Sequence, residues 1–229
     1  MARIRAALIG CCIGALGFAT FPARATAATG ARHVTVAVCD LEAVPKELMV
    51  LAQQVATEVY RDAGIEIDWD NNQCHPAENV FAVTIAARRI AGTDVSDYTL
   101  GFAESGMWTA TVLYDRVSAF ARRYRMKRAV LLGYTIAHEL GHLLLPPNSH
   151  STAGVMRASI NLEMAATRQL WFTPEQRQLI LRKVAVVSAY MAAARPQNCC
   201  DAIRAPSAIA ASLPQTTSGS TAAWPTHVP

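Results

Sequence analysis

No CxxC pair and no cysteine-rich cluster occurs in this 229-residue chain, so the common thiolate zinc scaffolds are excluded. The uncharged N-terminal stretch Ala6 to Phe21 is short for a membrane span and is broken by Gly10, Gly14 and Gly17, so it does not read as one. No internal repeat is visible, which removes solenoid and propeller architectures. Charged residues are few, at 17%, while hydrophobic residues reach 52%. A chain of that balance can bury a sizeable core and is not globally disordered.

The N-terminus reads as an export signal covering residues 1–25. Arg3 and Arg5 precede the apolar stretch, and Ala23-Arg24-Ala25 is a small-x-small cleavage pattern. Leu8-Ile9-Gly10-Cys11 resembles a lipoprotein box, but almost no apolar run precedes it, so ordinary cleavage ranks above anchoring. The expected location is therefore secreted or periplasmic, with no membrane span left after cleavage. The leader holds Arg3, Arg5 and Arg24 and no acid, so its removal takes three charges from the formal +4 and leaves +1. A nucleic-acid partner is not implied. The basic run Arg122, Arg123, Arg125, Lys127, Arg128 reads as a solvated helix face.

Of the six cysteines, Cys11 and Cys12 fall in the leader, which leaves Cys39, Cys74, Cys199 and Cys200. In an oxidising compartment an even number suggests disulfides. If the strands ending at Cys39 and Trp69 run parallel through an intervening helix, Cys39 and Cys74 meet at one end of the sheet.

Residues 26–194 read as one domain. The segments from His33 to Cys39, Ile65 to Trp69, Val80 to Ala86 and Thr109 to Tyr114 are strands by alternation and β-branching. The stretch from Val44 to Ala63 has helical apolar spacing and stops at Gly64. A second helix runs from about Arg128 to Leu145 and ends at Pro146-Pro147, which cannot continue it. Thr173-Pro174-Glu175-Gln176 opens a last helix with a capping box, and this helix runs to about Ala194. The fold class is α+β: a small twisted mixed sheet with an active-site helix and a C-terminal helix. Residues 195–229, rich in Pro, Ser, Thr and Ala, read as a disordered tail.

The chemistry concentrates in His138-Glu139-Leu140-Gly141-His142. On a helix, positions four apart lie one turn apart on one face, so the two imidazoles can converge on one ion. Neutral imidazole suits Zn2+. Glu139 projects beside that face, where its carboxylate can act as general base. A catalytic zinc usually has a third protein ligand, and the downstream candidates are His150, Glu163 and Glu175. Glu175 has another reason to be acidic, because it sits in the first turn of the last helix. His150 is preferred: Pro146-Pro147 ends the helix right after His142, Asn148-Ser149 suits a turn, and eight residues span the return. Glu163, on a possible short helix at Asn161 to Met164, remains an alternative of gluzincin type.

The order His138-Glu139-Leu140-Gly141-His142, His150-Ser151, Gly154-Val155-Met156 resembles the metzincin clan of zinc peptidases. Leu145 and Asn148 stand where the clan places a glycine and its third histidine, so His150 comes two residues late. The resemblance implies a zinc peptidase acting on peptide or protein substrates, with Met156 in a tight turn under the metal. It also implies an edge strand that lines the cleft and pairs with an extended substrate, a place taken here by Thr109 to Tyr114. A different class of protein, an exported zinc-stabilised binding module without turnover, is the competing expectation. Glu139 argues against it, since a structural site needs no base.

Overall fold

The computed structural model describes residues 32–72, 74, 80–87, 99–104, 108–194 and 221–225. Residues 1–25, read above as an export leader, and Cys199 and Cys200 lie outside the described residues.

Alternating β-branched residues form β1 (Arg32–Asp40). Asp40 then accepts the backbone N–H groups of Glu42 and Val44, turning the chain into α1 (Lys46–Asp62). In α1, Met49, Ala52, Val55, Ala56 and Val59 recur at helical spacing and are buried, as one apolar stripe on a core requires. The helix stops at Gly64, which takes φ +81°. The chain re-enters the sheet as β2 (Ile65–Asp70), parallel to β1. Next come β3 (Phe81–Ala86), β4 (Thr99–Glu104) and β5 (Thr109–Leu113). Four helices follow: α2 (Tyr114–Arg123), α3 (Arg128–Leu144), α4 (Leu162–Ala166) and α5 (Pro174–Ala194). A last strand, β6, covers Thr221–Pro225.

The sheet is mixed, in the order β2-β1-β3-β5-β4-β6. The strands β2, β1, β3 and β5 are mutually parallel. β4 runs antiparallel to β5, and β6 antiparallel to β4. This is the expected α+β layout of a mixed sheet with an active-site helix and a C-terminal helix.

Four features depart from the sequence reading. β4 has no counterpart in it: Thr99–Glu104 is buried at every position but the last, so the alternation that marks a half-buried strand is missing, and Gly101 weakens the signal further. Tyr114 begins α2 rather than ending a strand. The strand from Thr109 is also not the one that lies outermost in this half of the domain. It pairs with β3 on one side and β4 on the other, so it is an inner strand, with β4 and then β6 lying beyond it. Composition alone predicts no structure after residue 194, yet Thr221–Pro225 is a strand. The antiparallel β4 presents a row of N–H and C=O groups that an extended segment can satisfy.

Helix α3 is apolar almost all round, and every residue from Leu131 to His142 is buried. Such a helix belongs in a core rather than on a surface. It lies against α1, where the Tyr60 hydroxyl donates to the Ala137 carbonyl at 3.0 Å, and against β4 and β5. At the start of α5, the Thr173 amide donates to Gln176 Oε1 and the Gln176 amide to Thr173 Oγ1, the expected capping box.

Cys39 and Cys74 form a disulfide with a Cα–Cα distance of 4.4 Å. It joins the end of β1 to the turn after its parallel neighbour β2, as the parallel crossover requires. The bridge spans 35 residues, and closing a loop of that length in the unfolded chain is worth about 3–4 kcal/mol by the entropy relation. Cys39→Ser is expected to lower the unfolding free energy by about that amount in urea denaturation. An unchanged midpoint would show that the bridge contributes nothing.

Candidate metal centre

The site is built on the last two turns of α3. His138 and His142 fall one above the other on the helix, with Nε2 atoms 3.0 Å apart. Pro146 and Pro147 then end the helix, and Asn148 adopts φ 60°, a left-handed conformation that asparagine tolerates better than most residues. This turn brings His150 back over the helix. Its ring centroid lies 5.3 Å from that of His138 and 4.8 Å from that of His142. One nitrogen from each of the three histidines falls within 4.8 Å of the others, a cluster able to hold a metal ion.

The protonation of the cluster suits a metal. Burial holds His138 well below the usual imidazole range, and the neighbouring His142 and His150 push it the same way. His142 is lowered to about 3 by burial and by His150, and burial lowers His150 as well. All three rings are therefore neutral at physiological pH, the form that offers a lone pair. His138 Nδ1 lies 2.8 Å from the Val155 carbonyl oxygen. A carbonyl only accepts, so Nδ1 carries the proton and Nε2 is left as the acceptor that faces the cluster. The Nε2 of His150 is buried and has no hydrogen-bond partner in the protein. A donor set of three neutral imidazoles with an orphaned nitrogen among them fits Zn2+.

The segment after the cluster is fastened to the core at several points. Val155 donates its N–H to Trp171 O, and Ser151 donates to Met156 O. Gly154 takes φ +76°, and a Cβ there would stand 2.2 Å from the Trp171 carbonyl oxygen, so only glycine fits. Met156 is fully buried. A Cβ on Gly141 would meet its Sδ at 2.6 Å, which places the thioether against the helix between the two helical histidines. The loop before His150 is held by Gln176. This buried side chain donates from Nε2 to the Ser149 carbonyl at 3.1 Å, and Ser149 Oγ lies 3.4 Å from His142 Nδ1.

Glu139 is 0% exposed, and burial pushes its carboxyl well above the usual range. Neither carboxylate oxygen has a hydrogen-bond partner in the protein. The side chain lies on β4: a Cβ on Gly101 would come within 2.8 Å of Glu139 Cγ and 2.9 Å of Oε1. The strand missing from the sequence reading is thus the one that touches the acid.

The structure brings His138, His142 and His150 together around one point, with Glu139 next to them in sequence. The other acidic candidates stand apart. Glu163 is exposed on α4 and is not part of the cluster. Glu175 is exposed in the first turn of α5. Val155, Gln176 and Gly101 are the supporting residues that the sequence did not reveal. Gln176 was visible only as half of a capping box, and a carbonyl acceptor or a close glycine contact leaves no mark in a motif.

No protein-family model and no curated protein sequence matches this chain. Among solved structures, the chain is similar to a zinc-dependent peptidase from Methanocorpusculum labreanum, with TM-score 0.46, 15% identity, and 63% of this chain and 99% of that one covered. It is also similar to an archaemetzincin from Methanopyrus kandleri, with TM-score 0.45, 14% identity, and 67% and 97% covered.

The geometry makes separable demands on metal binding. His150→Ala is expected to abolish stoichiometric zinc binding, whereas Glu163→Ala leaves it intact. Gln176→Ala, which frees the Ser149 carbonyl, is expected to weaken zinc by about tenfold in chelator competition, the low end for supporting residues around a metal. Zinc retained in His150→Ala but lost in Glu163→Ala would reverse the ligand assignment.

Proposed function

We propose that this chain is an exported zinc-dependent peptidase that hydrolyses peptide bonds, with His138, His142 and His150 as metal ligands and Glu139 as general base. The observation that carries this reading is the pairing of a three-histidine cluster with a buried, unpartnered carboxylate one residue from the first ligand. An isolated carboxylate held away from water is costly. A structural zinc site gives no reason to tolerate that cost, and a catalytic one does.

A zinc ion held by the three histidines supplies Lewis acidity toward a carbonyl and toward water. Glu139 accepts the proton of the attacking water and returns it to the departing amine. Burial raises its pKa, which makes the ionised carboxylate a stronger proton acceptor than an exposed one. His138 keeps one tautomer through Val155 O and so keeps Nε2 aimed at the cluster. The contact of Met156 with the helix at Gly141 supports reading it as the methionine of the tight turn that the metzincin resemblance implies. Peptide substrates are taken as extended chains along the outer edge of β4, the strand that supports Glu139. The backbone ladder supplies affinity without demanding a particular side chain. Export is carried in this proposal by the N-terminal leader and agrees with the Cys39–Cys74 bridge, which suits an oxidising compartment.

Glu139→Gln separates the peptidase reading from the zinc-stabilised binding module. The amide keeps the shape of the side chain and cannot accept the proton. Zinc content is expected to stay at wild-type level while kcat on a casein-derived peptide falls by about 10²–10⁴-fold, the usual contribution of general base catalysis. Hydrolysis at near wild-type rate in this variant would remove Glu139 from the mechanism. Absence of hydrolysis in the zinc-loaded wild type, over a broad peptide panel, would favour the binding module.

A further inference from the structure

Strand β6 lies along the outer edge of β4, and β4 is the strand on which Glu139 rests. The pairing is antiparallel, with Glu104 opposite Thr221, Ala103 opposite Ala222, Phe102 opposite Ala223 and Thr99 opposite Pro225. Two residues lie between Thr99 and Phe102 on β4, but only one lies between their partners Pro225 and Ala223 on β6. The ladder is therefore irregular at Leu100 and Gly101, and Gly101 is the residue packed against Glu139. An added strand sits about 4.8 Å from its neighbour, so β6 occupies the lane next to the acid. The segment Thr221-Ala222-Ala223-Trp224-Pro225 carries no charge and only small residues before Trp224, so its backbone can be received by pairing alone. Pro225, which has no N–H to give a ladder, stands at the end of the strand, as proline in a sheet requires.

We propose that the outer edge of β4 is a peptide-docking surface and that the C-terminal segment Thr221–Pro225 is its intramolecular occupant, excluding extended peptides until it is displaced. The proposal rests on the peptidase reading for its consequence but not for the docking itself. A tethered occupant acts on free peptide as a competitor. It reduces the fraction of molecules able to bind and raises the apparent KM by the inverse of that fraction, leaving kcat untouched once the peptide is bound. A tail docked nine-tenths of the time raises KM about tenfold.

The test compares the zinc-loaded full chain with two variants: one ending at Ser220, and a full-length double substitution Ala222→Pro with Ala223→Pro. In an antiparallel ladder successive residues turn their N–H groups to opposite sides, so one of these two adjacent positions must face β4, and proline at both removes that donor. Two quantities are read: amide hydrogen exchange of residues 99–104, and KM and kcat on an extended peptide. Exchange in α3 serves as the control for an intact fold. The expected result is protection of 99–104 in the full chain, exchange there about tenfold faster or more in both variants with α3 unchanged, and KM about tenfold lower at constant kcat. A synthetic peptide of residues 220–229 added to the truncated form is expected to restore protection and to inhibit competitively. Equal protection of 99–104 with and without the tail overturns the docking. Lost protection with an unchanged KM overturns the competition. If no form hydrolyses any peptide while protection still depends on the tail, the docking stands and the peptidase reading fails.

Discussion

The hydrogen bond from His138 Nδ1 to the Val155 carbonyl, 2.8 Å long, organises the whole centre. A neutral imidazole has one proton and one lone pair, and the partner at Nδ1 fixes which nitrogen carries which. The carbonyl can only accept, so it places the proton on Nδ1 and the lone pair on Nε2. The same bond ties the segment from Ser151 to Arg157 to α3, and with it Met156, which packs against the helix at Gly141. Two stretches of chain separated by a proline-ended turn are thereby joined. His150 closes the third side of the site because the loop that carries it is held by Gln176 at the opening of α5.

Around this bond the helix breaks the rule that governs its other residues. From Leu131 to His142, α3 is buried, and most of those side chains are apolar. His138, Glu139 and His142 sit in that environment, and burial drives each toward its neutral form: the histidines downward, Glu139 upward. Leaving a carboxylate without a hydrogen bond in such a place is unfavourable by itself. Local consistency fails in this way where function is placed, and the surrounding fold supplies the compensating stability. Here that support includes the packing of α1 on α3, the Tyr60 hydroxyl on the Ala137 carbonyl, and the disulfide that joins the end of β1 to the turn after β2.

The sheet contributes through one reversed strand. Helix α3 lies against both β5 and β4, and the antiparallel β4 runs beside β5, passes under Glu139 at Gly101 and pairs on its other side with β6. Glycine is required there because any side chain would collide with the acid and with the Thr111 carbonyl. The position that weakens the strand signal is therefore the one that lets strand and acid come together.

Much of the molecule was legible in the linear chain, and the physical reason is locality. The bounds of α1, α3 and α5 follow from 3.6-residue periodicity, from Gly64, from Pro146-Pro147 and from the capping box at Thr173 to Gln176, all of which act within a few residues. The convergence of His138 and His142 follows from helix pitch alone, and the chemistry of the centre from the residue types in that short motif. The Cys39–Cys74 bridge was accessible because a parallel crossover constrains where two strand ends lie. Tertiary structure decided the rest. It set β4 beside Glu139 although the strand carries no alternation, gave the His138 proton to Val155, made Gln176 the support of the His150 loop, left Glu163 in solvent, and laid Thr221–Pro225 along β4. Each of these is a contact between segments far apart in the chain, and periodicity within a segment carries no information about which distant segment it will meet.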